Sequence, residues 1–180
     1  MNIYVNFVRN FGYQSFFIDK ILKKNVYDNE IIIRNSIKTK AYLFIRPLAM
    51  NRVFLNILSN AIQHTNKKIL ISSSLSSSEK IIIIEDDGPG IPENKRLEVF
   101  KAFHRLDKSR FSKYGRTGLG LTIAKNIVKG HGGNIKLYKS KIGGLKVRIS
   151  LPIWLFEKLK IVFNFFYSFI YKRKWRLIII

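Results

Sequence analysis

The stretch Glu85-Asp86-Asp87-Gly88-Pro89-Gly90-Ile91-Pro92 decides how this chain is read. It follows the strand-like run Lys80–Glu85, whose centre is Ile81–Ile84, and breaks it with residues that belong to a turn. Asp86 stands at the strand end, two residues before Gly88 and four before Gly90. A carboxylate there accepts a hydrogen bond from an exocyclic amino group. The glycines, lacking Cβ, let a flat ring approach the backbone, and Ile91 offers that ring an apolar contact. Two plainer readings stand beside this one: an acidic turn with no ligand, and a metal-ligand pair made by Asp86 and Asp87.

Downstream, a second glycine cluster, Thr117-Gly118-Leu119-Gly120, opens a helical pattern that runs to about Lys129, where Gly130, Gly132 and Gly133 stop it. Backbone N–H groups freed at a helix N-terminus form a seat for phosphate. Upstream, Pro47 starts a helix with a broad apolar face built from Leu48, Val53, Leu55, Ile57, Leu58, Ala61 and Ile62. Asn56 and Asn60 lie one turn apart on it. The Asn60 amide oxygen suits Mg²⁺, which takes a few hard oxygen ligands together with phosphate and water. A structural hydrogen bond is the plainer reading for either amide.

The remaining elements are short. Ile31–Ile33, Ala41–Ile45 and Ile69–Ser73 read as strands, and Asn134–Lys139 and Leu145–Leu151 as a hairpin around Gly143-Gly144. A helix is expected from about Pro92 to Phe100, followed by a polar, basic loop, His104–Arg116. A weak helical pattern surrounds Phe16, Phe17, Ile21 and Leu22.

In order along the chain, Asn56-Ile-Leu-Ser-Asn60-Ala61, the Asp86–Ile91 turn, Phe100 with Phe103, and Thr117–Leu121 resemble the N, G1, F and G2 boxes of sensor histidine kinases. Those boxes define the family's catalytic and ATP-binding domain. The resemblance spans residues 14–153, and the Glu85–Pro92 stretch is most similar to the osmolarity sensors of the EnvZ type. It implies an α/β fold: a two-layer sandwich of a mixed sheet and helices, rich in left-handed βαβ connections and shared with gyrase, Hsp90 and MutL ATPases. Carried over residue by residue, Asp86 holds the adenine amino group, with Gly88, Gly90 and Ile91 bordering the ring. Asn60 coordinates Mg²⁺, and Asn56 lines the phosphate pocket. Thr117, Gly118, Leu119 and Gly120 seat the phosphates under a mobile lid, His104–Thr117, anchored by Phe100 and Phe103. ATP hydrolases of this fold put a glutamate where Asn56 stands. An amide is no base at neutral pH, which suits delivery of the γ-phosphate to a protein side chain instead of to water.

The chain departs from the family pattern in three places. Arg116 occupies the first position of a Gly-x-Gly-x-Gly run, with Gly115 one residue earlier. Gln63 replaces a basic residue that often faces the phosphates, a loss that Arg105, Lys108 or Arg110 on the lid can offset. The phosphoacceptor is missing: His64, His104 and His131 stand before Thr-Asn, Arg-Leu and Gly-Gly, and none has the acceptor context. His64 falls on the Asn56–Asn60 helix near the adenine. His131, at a helix C-terminus, reads as a cation set against the helix dipole.

The expected organisation is a linker remnant at 1–28, the ATP-binding domain at 29–153 and an aromatic, basic tail at 154–180. The tail reads as an interfacial anchor on an anionic membrane or as read-through sequence. The apolar content of 47% supports a packed core, and the absence of cysteine excludes disulfides, thiolate zinc sites and cysteine nucleophiles. The formal charge of +22 is spread along the chain, which argues against a specific nucleic-acid ligand. No run reaches the ~20 apolar residues of a membrane span, and no signal peptide is evident.

The functional expectation is therefore the ATP-binding module of a two-component kinase. It uses ATP and Mg²⁺, and its partners are an acceptor-histidine hairpin outside this chain and a response regulator. Homodimerisation runs through that missing hairpin, and the location is cytoplasmic, in a family anchored at the inner membrane. The alternatives are a non-catalytic ATP-binding remnant or partner module, and a small anti-sigma-type protein-serine kinase.

Overall fold

The computed structural model describes residues 32–36, 42–104, 118–153 and 176–179. Five strands form the main sheet: β1 (Ile32–Ser36), β3 (Lys68–Leu75), β4 (Glu79–Asp86), β6 (Leu145–Pro152) and β5 (Asn134–Lys139), in that spatial order. β1 runs parallel to β3, and every other neighbouring pair is antiparallel, so the sheet is mixed. Two helices, α1 (Pro47–His64) and α2 (Gly120–Gly130), form the second layer. Apart from the main sheet, β2 (Tyr42–Ile45) pairs antiparallel with β7 (Arg176–Ile179). The α/β sandwich expected from the sequence is thus observed, with strand ends moved by a few residues at most.

The core lies between the layers. Along α1, Met50, Val53, Phe54, Ile57, Leu58 and Ala61 are buried, a spacing of three and four that keeps one helical face on the sheet. Along β4 burial alternates, and Lys80, Ile82, Ile84 and Asp86 form the inward row. The row that packs two isoleucines under α1 therefore also carries the Asp86 carboxylate into the protein. At its other end Lys80 is fully buried and donates to Ser73 Oγ at 3.0 Å. Burial lowers its ammonium pKa to about 8.

The helix expected from Pro92 to Phe100 is absent. Two single 3₁₀ turns, Glu93–Lys95 and Glu98–Phe100, take its place, neither with a capping side chain. Val99 and Phe100 are both buried, and adjacent residues do not share an α-helical face. So short a segment gains too few bonds to offset helix nucleation. The helical pattern around Phe16–Leu22 lies outside the described residues, as does most of the loop His104–Arg116.

Candidate functional site

The site forms where the C-terminal half of α1, the N-terminus of α2, the end of β4 and the β5–β6 turn meet. Asp86 is 4% exposed. Its Oδ1 accepts backbone N–H groups from Gly88 at 3.0 Å and Leu145 at 3.1 Å. Among the described residues, none donates to Oδ2. Burial pushes this carboxyl above its ordinary range, against the opposing pull of the Leu145 and Gly88 N–H groups and of His64. The result is a buried, fixed acceptor with one oxygen still available for a donor.

Asp87, the first residue after β4, points elsewhere. Its Oδ1 accepts from Thr65 Oγ1 at 2.6 Å and from the backbone of Asn66 and Lys67 at 2.9 and 3.0 Å. Its carbonyl accepts from Asn66 Nδ2 at 2.7 Å. Burial raises its pKa, but the Thr65 hydroxyl and the surrounding N–H groups outweigh that and bring it to about 2. Asp87 thus fastens the α1–β3 connection to β4. The metal-pair reading of Asp86 and Asp87 is set aside on this geometry. No group of three or more His, Cys, Asp or Glu residues able to hold a metal occurs among the described residues.

Glycine makes the surroundings of Asp86 possible. A Cβ on Gly88 would fall 2.1 Å from the His64 carbonyl oxygen, and one on Gly144 would fall 2.1 Å from Asp86 Oδ1. Gly90 has φ +69, in the left-handed region, and abuts Gly144. Gly144 also donates its N–H to the Asp86 carbonyl at 3.1 Å. In the sequence Gly144 reads only as part of a hairpin turn. Its second task follows from the β4–β6 register, which sets Lys146 opposite Glu85 and so brings the turn against Asp86. Ile91 is half-buried against the core, its carbonyl held by Arg96 Nε at 3.1 Å.

The helical side meets the same place. Gly118, at φ +69, and Leu119 lead into Gly120, the first residue of α2. That N-terminus has no side-chain cap and no acidic residue in its first turn. A Cβ on Gly120 would come within 3.6 Å of the Asn56 side chain, so α1 presents Asn56 beside the open helix end. Asn60, one turn further on, is half-buried on the same helix. Thr117, Arg105, Lys108, Arg110, Gly115 and Arg116 lie outside the described residues.

Of the two aromatic anchors, only Phe100 is buried, with Thr122 Oγ1 donating to its carbonyl at 2.9 Å and Lys125 Nζ 4.7 Å from its ring centroid. Phe103 is 72% exposed with φ +61. Its ring stands outside the described core, and the lid segment it is expected to anchor lies outside the described residues. The histidine reading changes. His131 is buried, its Nε2 accepts the Arg46 N–H at 2.9 Å, and its Nδ1 lies 2.6 Å from the Ile127 carbonyl. A nitrogen that accepts carries no proton, so Nδ1 is the donor and the ring is neutral. Burial lowers its pKa, the Ile127 carbonyl opposes this, and the nearby Arg46 charge adds to the lowering. His131 is no cation for the helix dipole; it ties the end of α2 to the start of α1.

The chain is 39% identical over 105 residues to the sensor protein RstB of Escherichia coli K12, covering 58% of this chain and 24% of that protein. The match therefore spans about a quarter of that relative's length. Among solved structures, the mycobacterial sensor histidine kinase MprB superposes with a TM-score of 0.67 at 24% identity, over 78% of this chain and 93% of that one. The histidine kinase domain of the E. coli osmosensor EnvZ does so at 0.56 with 31% identity, over 77% and 85%. Residues 45–155 match the family described as histidine kinase-, DNA gyrase B- and HSP90-like ATPase, and the chain belongs to that family.

Proposed function

We propose that this chain is the ATP-binding catalytic module of a two-component sensor histidine kinase, and that it delivers the γ-phosphate of ATP to a histidine carried on a hairpin outside residues 1–180. The observation that carries this reading is Asp86: a buried carboxylate with Oδ1 fixed by two N–H groups and Oδ2 turned to no described donor. Such an acceptor suits the exocyclic amine of adenine, and the close backbone packing that Gly88, Gly90 and Gly144 permit around Asp86 holds it in place. Ile91 borders the ring.

Gly118, Leu119 and Gly120 direct backbone N–H groups at the phosphates from the uncapped start of α2. By the family resemblance Thr117 also contributes to phosphate binding. Asn60 supplies an oxygen for Mg²⁺, whose chemistry is to neutralise phosphate charge. Asn56, beside Gly120, positions the phosphates without acting as a base. The site contributes positioning and charge stabilisation and forms no covalent intermediate of its own.

We take residues 29–153 as the module, placed in the cytoplasm, with a response regulator downstream in the relay. Among the described residues, no helix is long and apolar enough to cross a membrane. A non-catalytic ATP-binding partner is the second reading, and Arg116 in the second glycine box favours it. Asn56 in place of a glutamate stands against an anti-sigma-type serine kinase.

Transfer to an acceptor hairpin in trans separates these readings. With radiolabelled ATP and Mg²⁺ the chain alone acquires no acid-labile phosphohistidine, and an added acceptor hairpin becomes labelled. Labelling is slow, because the effective concentration of a tether is lost. Tight ATP binding with no transfer to any hairpin supports the partner reading. Labelling of the chain itself contradicts the reading of its histidines.

A further inference from the structure

Arg176–Ile179 lies beyond the stretch that matches the family, residues 45–155. It is nevertheless built into the fold, pairing with β2 in the register Tyr42↔Ile179, Leu43↔Ile178, Phe44↔Leu177 and Ile45↔Arg176. β2 is anchored independently: Leu43 and Ile45 are 0% and 1% exposed, and the strand runs directly into α1 through Arg46, whose N–H is held by His131. The other end of the intervening segment is fixed as well, by Ile153 N–H donating to Ser78 O at 2.9 Å.

A strand with a buried face offers its edge as a template for an extended peptide. Main-chain bonds supply the affinity, and β-branched or apolar residues suit the partner strand. The run Leu177-Ile178-Ile179-Ile180 has that composition and contains no proline. We propose that this edge of β2 is a strand-addition site for an extended apolar peptide, and that its resident occupant is the chain's own Arg176–Ile179. The occupant holds the edge because a tethered segment has an effective concentration on the order of mM, which micromolar free peptide does not displace.

The chain's lack of cysteine makes the pairing directly testable. In the full chain, Phe44→Cys with Leu177→Cys places two thiols on directly opposed residues, at Cα separations that a disulfide spans. Mild oxidation then gives an intramolecular cross-link in the monomer. A cross-link only between chains, or none, overturns the assignment. The site itself is tested with Leu177→Pro/Ile178→Pro, which removes whichever of two adjacent N–H groups bonds to β2. Fluorescein-labelled peptide 174–180 binds this variant saturably in anisotropy titrations, at least tenfold more tightly than it binds the unaltered chain. The same peptide carrying the two prolines binds neither. Absent peptide binding to the variant, or equal binding to both proteins, overturns the strand-addition reading even where the cross-link forms.

Discussion

Gly144 lies so close to Asp86 that a Cβ on it would stand 2.1 Å from Oδ1, the oxygen already bonded to the N–H groups of Gly88 and Leu145. The hairpin turn between β5 and β6 is therefore part of the Asp86 setting. Gly144→Ala must displace either the turn or the carboxylate. Adenine-nucleotide affinity falls by tenfold or more, while the midpoint of thermal unfolding drops by only a few degrees, because the core under α1 is untouched. Calorimetric titration alongside a thermal melt checks this. Unchanged affinity in a folded Gly144→Ala variant contradicts the arrangement.

Asp87 predicts the reverse pattern. It joins Thr65, Asn66 and Lys67 to the end of β4 and takes no part in the proposed adenine contact. Asp87→Ala costs about 1.5–3 kcal/mol of stability, the usual worth of hydrogen bonds to a charged acceptor. Nucleotide affinity, measured below the unfolding transition, changes little. Because the folded pKa is depressed to about 2, this contribution is present above the ordinary carboxylate value and is lost as pH falls through about 2. Denaturant titrations from pH 5 to pH 2 show the loss, and the Asp87→Ala variant shows a smaller one.

His131 makes stability depend on pH near neutrality. Its neutral ring accepts from Arg46 N–H, and its folded pKa is lowered. The unfolded chain therefore binds the proton more readily, so the contribution is complete above about pH 6.5 and is lost as pH falls through the folded value. His131→Gln removes this pH dependence. A melting temperature that falls equally for both proteins between pH 7 and 5 speaks against the neutral bridge.

Asn60 is proposed as the metal-facing residue of α1. Asn60→Ala abolishes the tightening of ATP binding by Mg²⁺ and leaves metal-free ADP binding nearly unchanged. Full enhancement by Mg²⁺ in the variant assigns Asn60 a structural role instead.

Much of the site was legible because its parts are local. The Asp86–Gly90 turn, the Gly118–Gly120 helix start and the Asn56–Asn60 spacing each depend on neighbours in sequence. What escaped the sequence depends on distant pairings. Gly144 acquires its task only from the β4–β6 register. His131 reads as a cation because a helix end favours one, but burial and the Arg46 N–H decide for the neutral ring. The partner of β7 lies far back along the chain, and no periodicity of an apolar run names it. The segment 92–100 misled because its charged and apolar residues suit a helix until Val99 and Phe100 are both required inside.

Asp86 is proposed as the buried acceptor for adenine. Its folded pKa is raised, so the stability tied to its protonated form is present below the ordinary carboxylate range and lost as pH rises through the folded value. At pH 7 Asp86→Asn is accordingly no less stable than the parent, and a loss of binding in it is not a loss of fold. Isothermal calorimetry with ATP and GTP on both proteins is the direct measurement. The parent binds ATP at least tenfold more tightly than GTP. Asp86→Asn loses about 1.5–3 kcal/mol toward ATP, which removes that preference. Equal affinity of the unaltered chain for ATP and GTP contradicts the account.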